Sequence, residues 1–128
     1  MQLKSVYRIL LPAIAAVSLF AQPPATPKVT TIMATLTVKE GVTRDQIMKV
    51  MQSEVRDTVA LYLDGKIQQW YARGDGKGVV FFMDCKTVDE AKGILEKLPL
   101  IKSEFASFDY VPLGPLSPLR LLIAPPAK

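Results

Sequence analysis

The stretch KIQQWYARGDGKGVVFFMDC, Lys66 to Cys85, decides the fold. Its two ends, Lys66 to Arg73 and Val79 to Cys85, read as strands, and Gly74-Asp-Gly-Lys-Gly78 between them is rich enough in glycine to reverse the chain into a hairpin. Moving upstream, Asp64-Gly65 ends a helix with a glycine able to adopt the left-handed cap. That helix begins at Thr43-Arg-Asp-Gln46, a capping-box pattern in which the Thr hydroxyl and the Gln side chain satisfy free amides of the first turn. Ile47, Val50, Met51, Val55, Leu61 and Tyr62 fall on one stripe at helical spacing. Before it, Val29 to Lys39 alternates, with Ile32, Ala34, Leu36 and Val38 on one face and Thr31, Met33, Thr35 and Thr37 on the other.

Downstream of the hairpin, Thr87-Val-Asp-Glu90 is a second capping-box pattern. It opens a short helix with Ala91, Ile94, Leu95 and Leu98 on one face, which Pro99 is expected to stop. Phe105 to Val111 supplies a last strand. The order strand-helix-strand-strand-helix-strand is the split βαβ, ferredoxin-like arrangement. It is an α+β fold with a four-stranded antiparallel sheet and two helices on one face. The second face then has no helices of its own, and a homodimer, or a larger oligomer, is the expected way to cover it.

Composition narrows the chemistry. The 128 residues contain no histidine and one cysteine, so Ser-His-Asp and Cys-His mechanisms, His-ligated haem and His-rich zinc sites are excluded, as is an intramolecular disulfide. No metal site is expected. Lys4 and Arg8 precede an uncharged run, Ile9 to Phe20, too short for the ~20 residues of a membrane span but the right size for a signal peptide. Residues 1–21 read as that signal, giving a periplasmic or secreted protein. Leu19 takes the place of a small residue three positions before the cut, which leaves retention as an N-terminal anchor as the alternative. Residues 22–28 are a Pro-rich linker, 29–115 the folded domain and 116–128 a Pro/Leu-rich tail. Without Lys4 and Arg8 the formal charge of +4 falls to +2, and the remaining charges form no basic stripe, so no nucleic-acid partner is expected, nor a membrane once the signal is cleaved.

Several stretches together resemble muconolactone isomerase and its relatives. They are the first strand ending in Thr37-Val-Lys39, the helix carrying Glu54 and ending at Gly65, Trp70 shortly after it, and Phe82. The Leu95-Glu-Lys-Leu-Pro-Leu100 run and the final strand with its Pro-Leu extension complete the match, which covers about residues 31 to 115. The resemblance implies a dimeric α+β barrel and a lactone-type double-bond isomerase working without metal or organic cofactor. It also makes Lys39 the partner of Glu54 in proton transfer.

The residues themselves single out Glu54. On a helical wheel it lies about 20° from Ile47, so a carboxylate intrudes into the apolar stripe, where desolvation would raise its pKa toward that of a general base. The structural alternative is an edge position and a pairing with a strand Arg or Lys. Trp70 and Tyr71 are adjacent, so only one of them can line a given cavity. Arg73 shares the face of Tyr71 and could hold a substrate carboxylate, or be a surface residue beside a hairpin. Tyr110 could stabilise an enolate oxygen, or be a core aromatic. Cys85 reads as a small buried hydrophobe. Three functions follow: cofactor-independent proton transfer on a small lactone or carboxylated substrate, non-catalytic small-molecule binding by an exported protein on the same scaffold, and a purely structural oligomerisation module, which would leave Glu54 in an apolar stripe unexplained.

Overall fold

In the computed structural model, residues 28–116 are described, together with 119, 123 and 125. The stretch expected to be a signal, residues 1–21, and the expected linker up to residue 27 lie outside the described residues, as does most of the tail. The elements run β1 (Thr31–Val38), α1 (Arg44–Leu63), β2 (Ile67–Ala72), β3 (Val79–Met83), α2 (Val88–Leu95), α3 (Pro99–Lys102) and β4 (Ala106–Leu113). The strands form one antiparallel sheet in the order β2-β3-β1-β4, which is the ferredoxin-like topology. Among the described residues no helix is long and apolar enough to cross a membrane.

Local chemistry sets the helix ends. Thr43 and Gln46 close the capping box: the Thr43 amide donates to Gln46 Oε1 at 2.8 Å, and the Gln46 amide donates to Thr43 Oγ1 at 3.3 Å. At the other end Gly65, at φ +76°, lets its own amide reach Tyr62 O and that of Lys66 reach Leu61 O, the paired bonds of a Schellman motif. The second capping box is only half formed. Thr87 Oγ1 accepts from the Glu90 amide, but the Glu90 carboxylate accepts from the amide of Lys86 rather than that of Thr87.

Pro99 starts a helix instead of stopping one. α2 ends at Leu95, and Pro99 is the first residue of α3, where a fixed φ and a missing N–H cost nothing. The face of α1 is also rotated relative to the apolar stripe. Its buried centre is Glu54 and Thr58, with Ile47, Val50, Met51 and Leu61 half-buried, while Val55 and Tyr62, one position further round, are 44% and 49% exposed.

The helices lie on the face carrying Ile32, Ala34 and Leu36, all buried as their alternation requires. α1 packs against β2 and α3, and α2 against β1 and β4. A bulge in β2 decides what the edge strand presents. Ile67 pairs with Met83 but Gln69 pairs with Phe82, so Gln68 is an extra residue and the alternation shifts by one. Ile67 and Trp70 therefore both face the helices, and Tyr71 faces away. The ring contacts agree: Trp70 meets Phe81 edge to face at 5.7 Å, and Tyr71 meets Phe82 at 6.2 Å.

A carboxyl in an apolar cleft

Between α1 and the β2–β3 edge lies a cleft of about 280 Å³. Its floor is Leu36, Val79 and Phe81, its helix wall Ile47, Met51, Glu54, Val55 and Thr58, and its remaining sides Leu100, Trp70 and the hairpin glycines Gly76 and Gly78. Glu54 is 6% exposed. Its Oε2 accepts from the Leu100 amide at 2.8 Å. That donor is available because Leu100 occupies the first turn of α3, where backbone N–H groups have no partner within the helix. Burial holds the Glu54 carboxyl above the usual carboxylate range, the Leu100 bond pulls it down, and the charge of Asp57 adds a smaller upward push. A carboxyl so placed is close-packed, oriented by one bond, and more basic than a surface glutamate.

The hairpin wall is fixed by a short approach. A Cβ at Gly78 would stand 2.0 Å from Leu36 O, so only glycine lets this loop lie against β1. The Val38 amide donates to Lys77 O at 2.9 Å. Arg73 ties the same loop down from the other side of the sheet: its Nη1 donates to Thr37 Oγ1 at 2.6 Å, and its Nη2 pairs with Asp75. Asp75 Oδ1 accepts from the Lys77 amide, the leading cause of its lowered pKa.

Of the side chains singled out in the sequence, the cleft holds Glu54 and Trp70. Arg73 does not line it, and neither do Lys39, Tyr71 or Tyr110. Tyr71 lies on the open face and borders a wider groove of about 470 Å³ along the β2 edge, with Tyr62, Gln68, Gln69 and Trp70. Adjacent Trp70 and Tyr71 therefore do share one groove, contrary to the expectation from alternation, because it follows the strand edge rather than one sheet face. None of these lining residues is a carboxylate or a cation. Lys39 and Tyr110 line a separate cavity of about 270 Å³ at the β4 edge, with Glu96, Glu104 and Ser107. The register explains the separation. Trp70 pairs with Phe81 and Tyr110 with Ala34, while Ala34 also pairs with Phe81, so Trp70 and Tyr110 end one row that crosses all four strands. At ~4.8 Å per strand the two are about 14 Å apart along the sheet. Tyr110 has a buried hydroxyl without a partner among the described residues, and burial pushes its pKa up to about 12, with Lys92 5.8 Å from the ring centroid.

Two features of the cleft escape sequence reading. Thr58, one turn after Glu54, is 1% exposed and lines the same wall, and the α3 amide is the donor that orients Glu54. The spacing of Thr58 from Glu54 was a usable signal, and so was Pro99 as a helix-starting residue. Cys85 is buried, and burial raises its thiol pKa. Among the described residues no group of His, Cys, Asp and Glu is placed to hold a metal ion. Neither the protein-family models nor the curated proteins contain a match to this chain.

Proposed function

We propose that the protein is a muconolactone isomerase-like, cofactor-independent double-bond isomerase in which Glu54 transfers the proton. One observation carries this reading: a carboxyl buried in an apolar cleft, held by the Leu100 amide and raised in pKa by its burial. As carboxylate, Glu54 removes a proton from the carbon beside a lactone carbonyl. The C–H electron pair enters the conjugated system as a dienolate, and the Glu54 carboxylic acid returns the proton at the far carbon. The double bond moves, and no atom is gained or lost.

The chain works as an exported homodimer on this reading. The helix-free sheet face carries a cross-strand row of Phe82, Met33 and Val111, with Tyr71 beside it. Val111 and Tyr71 are 43% and 53% exposed, an apolar surface suited to a second copy. A second reading, an exported non-catalytic binding protein, is favoured by one fact: Arg73, Lys39 and Tyr110 stand outside the cleft, which leaves Glu54 without a second acid or base among the described residues. Turnover separates the two. With a butenolide whose double bond lies out of conjugation, the wild type should speed formation of the conjugated isomer, and Glu54→Gln should lose roughly a hundredfold or more. Catalysis by the Gln variant at the wild-type rate ends the isomerase reading.

A further inference from the structure

We infer that the Glu54 cleft selects uncharged, one- or two-ring carbonyl compounds and rejects carboxylates, an inference that rests on the isomerase reading only for what happens after binding. Charge sets the first limit on a ligand. Glu54 is the sole ionisable side chain among the described residues lining the cleft, and no lysine or arginine joins it. A carboxylate entering such a space meets a like charge and has no cation to replace its lost water.

The two cations that the sequence singles out, Arg73 and Lys39, do not line the cleft. Arg73, the residue best suited to grip a carboxylate, spends its guanidinium on Thr37, Leu36 O and Asp75. Thr37 belongs to the helix-free face, so the guanidinium is anchored away from the cleft. Lys39 belongs to the β4-edge cavity.

Shape and polarity point the same way. The cleft's 280 Å³ falls just below the ~300–1,000 Å³ of sites for drug-sized ligands, which fits a ligand of one or two rings. Trp70 and Phe81 form an aromatic corner against which a flat ring packs, with centroids 5.7 Å apart and planes at 76°. Glu54 and Thr58, one helical turn apart, put the polar groups of the helix wall on one line. A ligand fitting this layout has an apolar ring and a single neutral polar group.

Trp70 is the one tryptophan in the chain and lines the cleft, so its fluorescence reports binding directly. The test titrates the full-length protein at pH 8 with a carboxymethyl-substituted butenolide acid and, separately, with its methyl ester. The ester should bind at least about tenfold more tightly than the acid. In Glu54→Gln, where the like charge is gone, that preference should shrink. Equal or tighter binding of the acid by the wild type overturns the inference, and so does failure of both compounds to perturb Trp70. The wild-type comparison decides the matter even where the variant folds poorly. Isomerisation is followed in the same samples: an ester that binds without isomerising leaves the selectivity standing and removes the isomerase reading. An acid that is preferred and isomerised does the reverse.

Discussion

Replacing Glu54 with Gln and with Leu isolates what its charge and its hydrogen bond each contribute. The carboxyl is 6% exposed and has one bond, to the Leu100 amide at 2.8 Å. Gln keeps an acceptor of the same reach and drops the charge. A bond to a charged group contributes ~1.5–3 kcal/mol and a neutral one ~0.5–1.5, so the weaker bond costs about 1 kcal/mol. Against that stands the desolvation of a carboxylate with no cation beside it among the described residues, and the raised pKa says that desolvation outweighs the bond. Gln should therefore match or exceed the wild type at pH 8, by up to ~1 kcal/mol.

The pH dependence has a definite sign. A carboxyl whose folded pKa lies above its unfolded value binds protons more tightly in the fold, so its penalty is full above the folded pKa. It disappears as pH falls through that value toward the ordinary 4.5. The gap between Gln and wild type should close accordingly on acidification. Leu removes the acceptor altogether and leaves the Leu100 amide, on a residue 5% exposed, without a partner. That costs ~1–3 kcal/mol, so Leu should fall below Gln at every pH. Urea denaturation of the three proteins between pH 8 and pH 4.5 gives all the numbers. A Gln variant less stable than wild type at pH 8 by well over 1 kcal/mol, recovering in acid, would refute the reasoning, because Glu54 would then be paired with a cation.

Two other substitutions probe the surroundings. Gly78→Ala places a methyl 2.0 Å from Leu36 O in a loop that cannot retreat without losing the bond between the Val38 amide and Lys77 O; thermal denaturation should show a loss of ~1–3 kcal/mol. Tyr110→Phe removes a buried hydroxyl that has no partner among the described residues, so stability should hold or rise within ~1 kcal/mol, and the phenol titrating near pH 12 should vanish from an ultraviolet titration.

Much of this molecule follows from local chemistry that a sequence displays. The alternation of Ile32, Ala34 and Leu36, the Thr43–Gln46 box, the Gly65 cap and the Gly74–Gly78 reversal each depend on neighbouring residues, and each forms where the sequence puts it. Glu54 was visible for the same reason, since the wheel needs only the helical period. What was hidden depends on pairing between distant segments. The Gln68 bulge exists only in the register of β2 against β3, and it decides that Trp70 rather than Tyr71 joins Ile67 on the helix side. Spacing gives the face of a strand residue but not its distance along the sheet, so Tyr110 and Trp70 share a face from opposite edges. Pro99 reads equally well as a stop and as a start. Only its packing under α1 makes it the start that gives Glu54 its donor.

The most direct test of the central claim, that Glu54 moves a proton within an apolar cleft, is the rate at which the full-length protein brings the unconjugated butenolide methyl ester into conjugation. Absorbance would be followed at pH 8 for the wild type and Glu54→Gln. The account predicts a rate above buffer for the wild type and a loss of about a hundredfold or more in the variant. Equal rates in the two proteins, or no acceleration by the wild type, would contradict it.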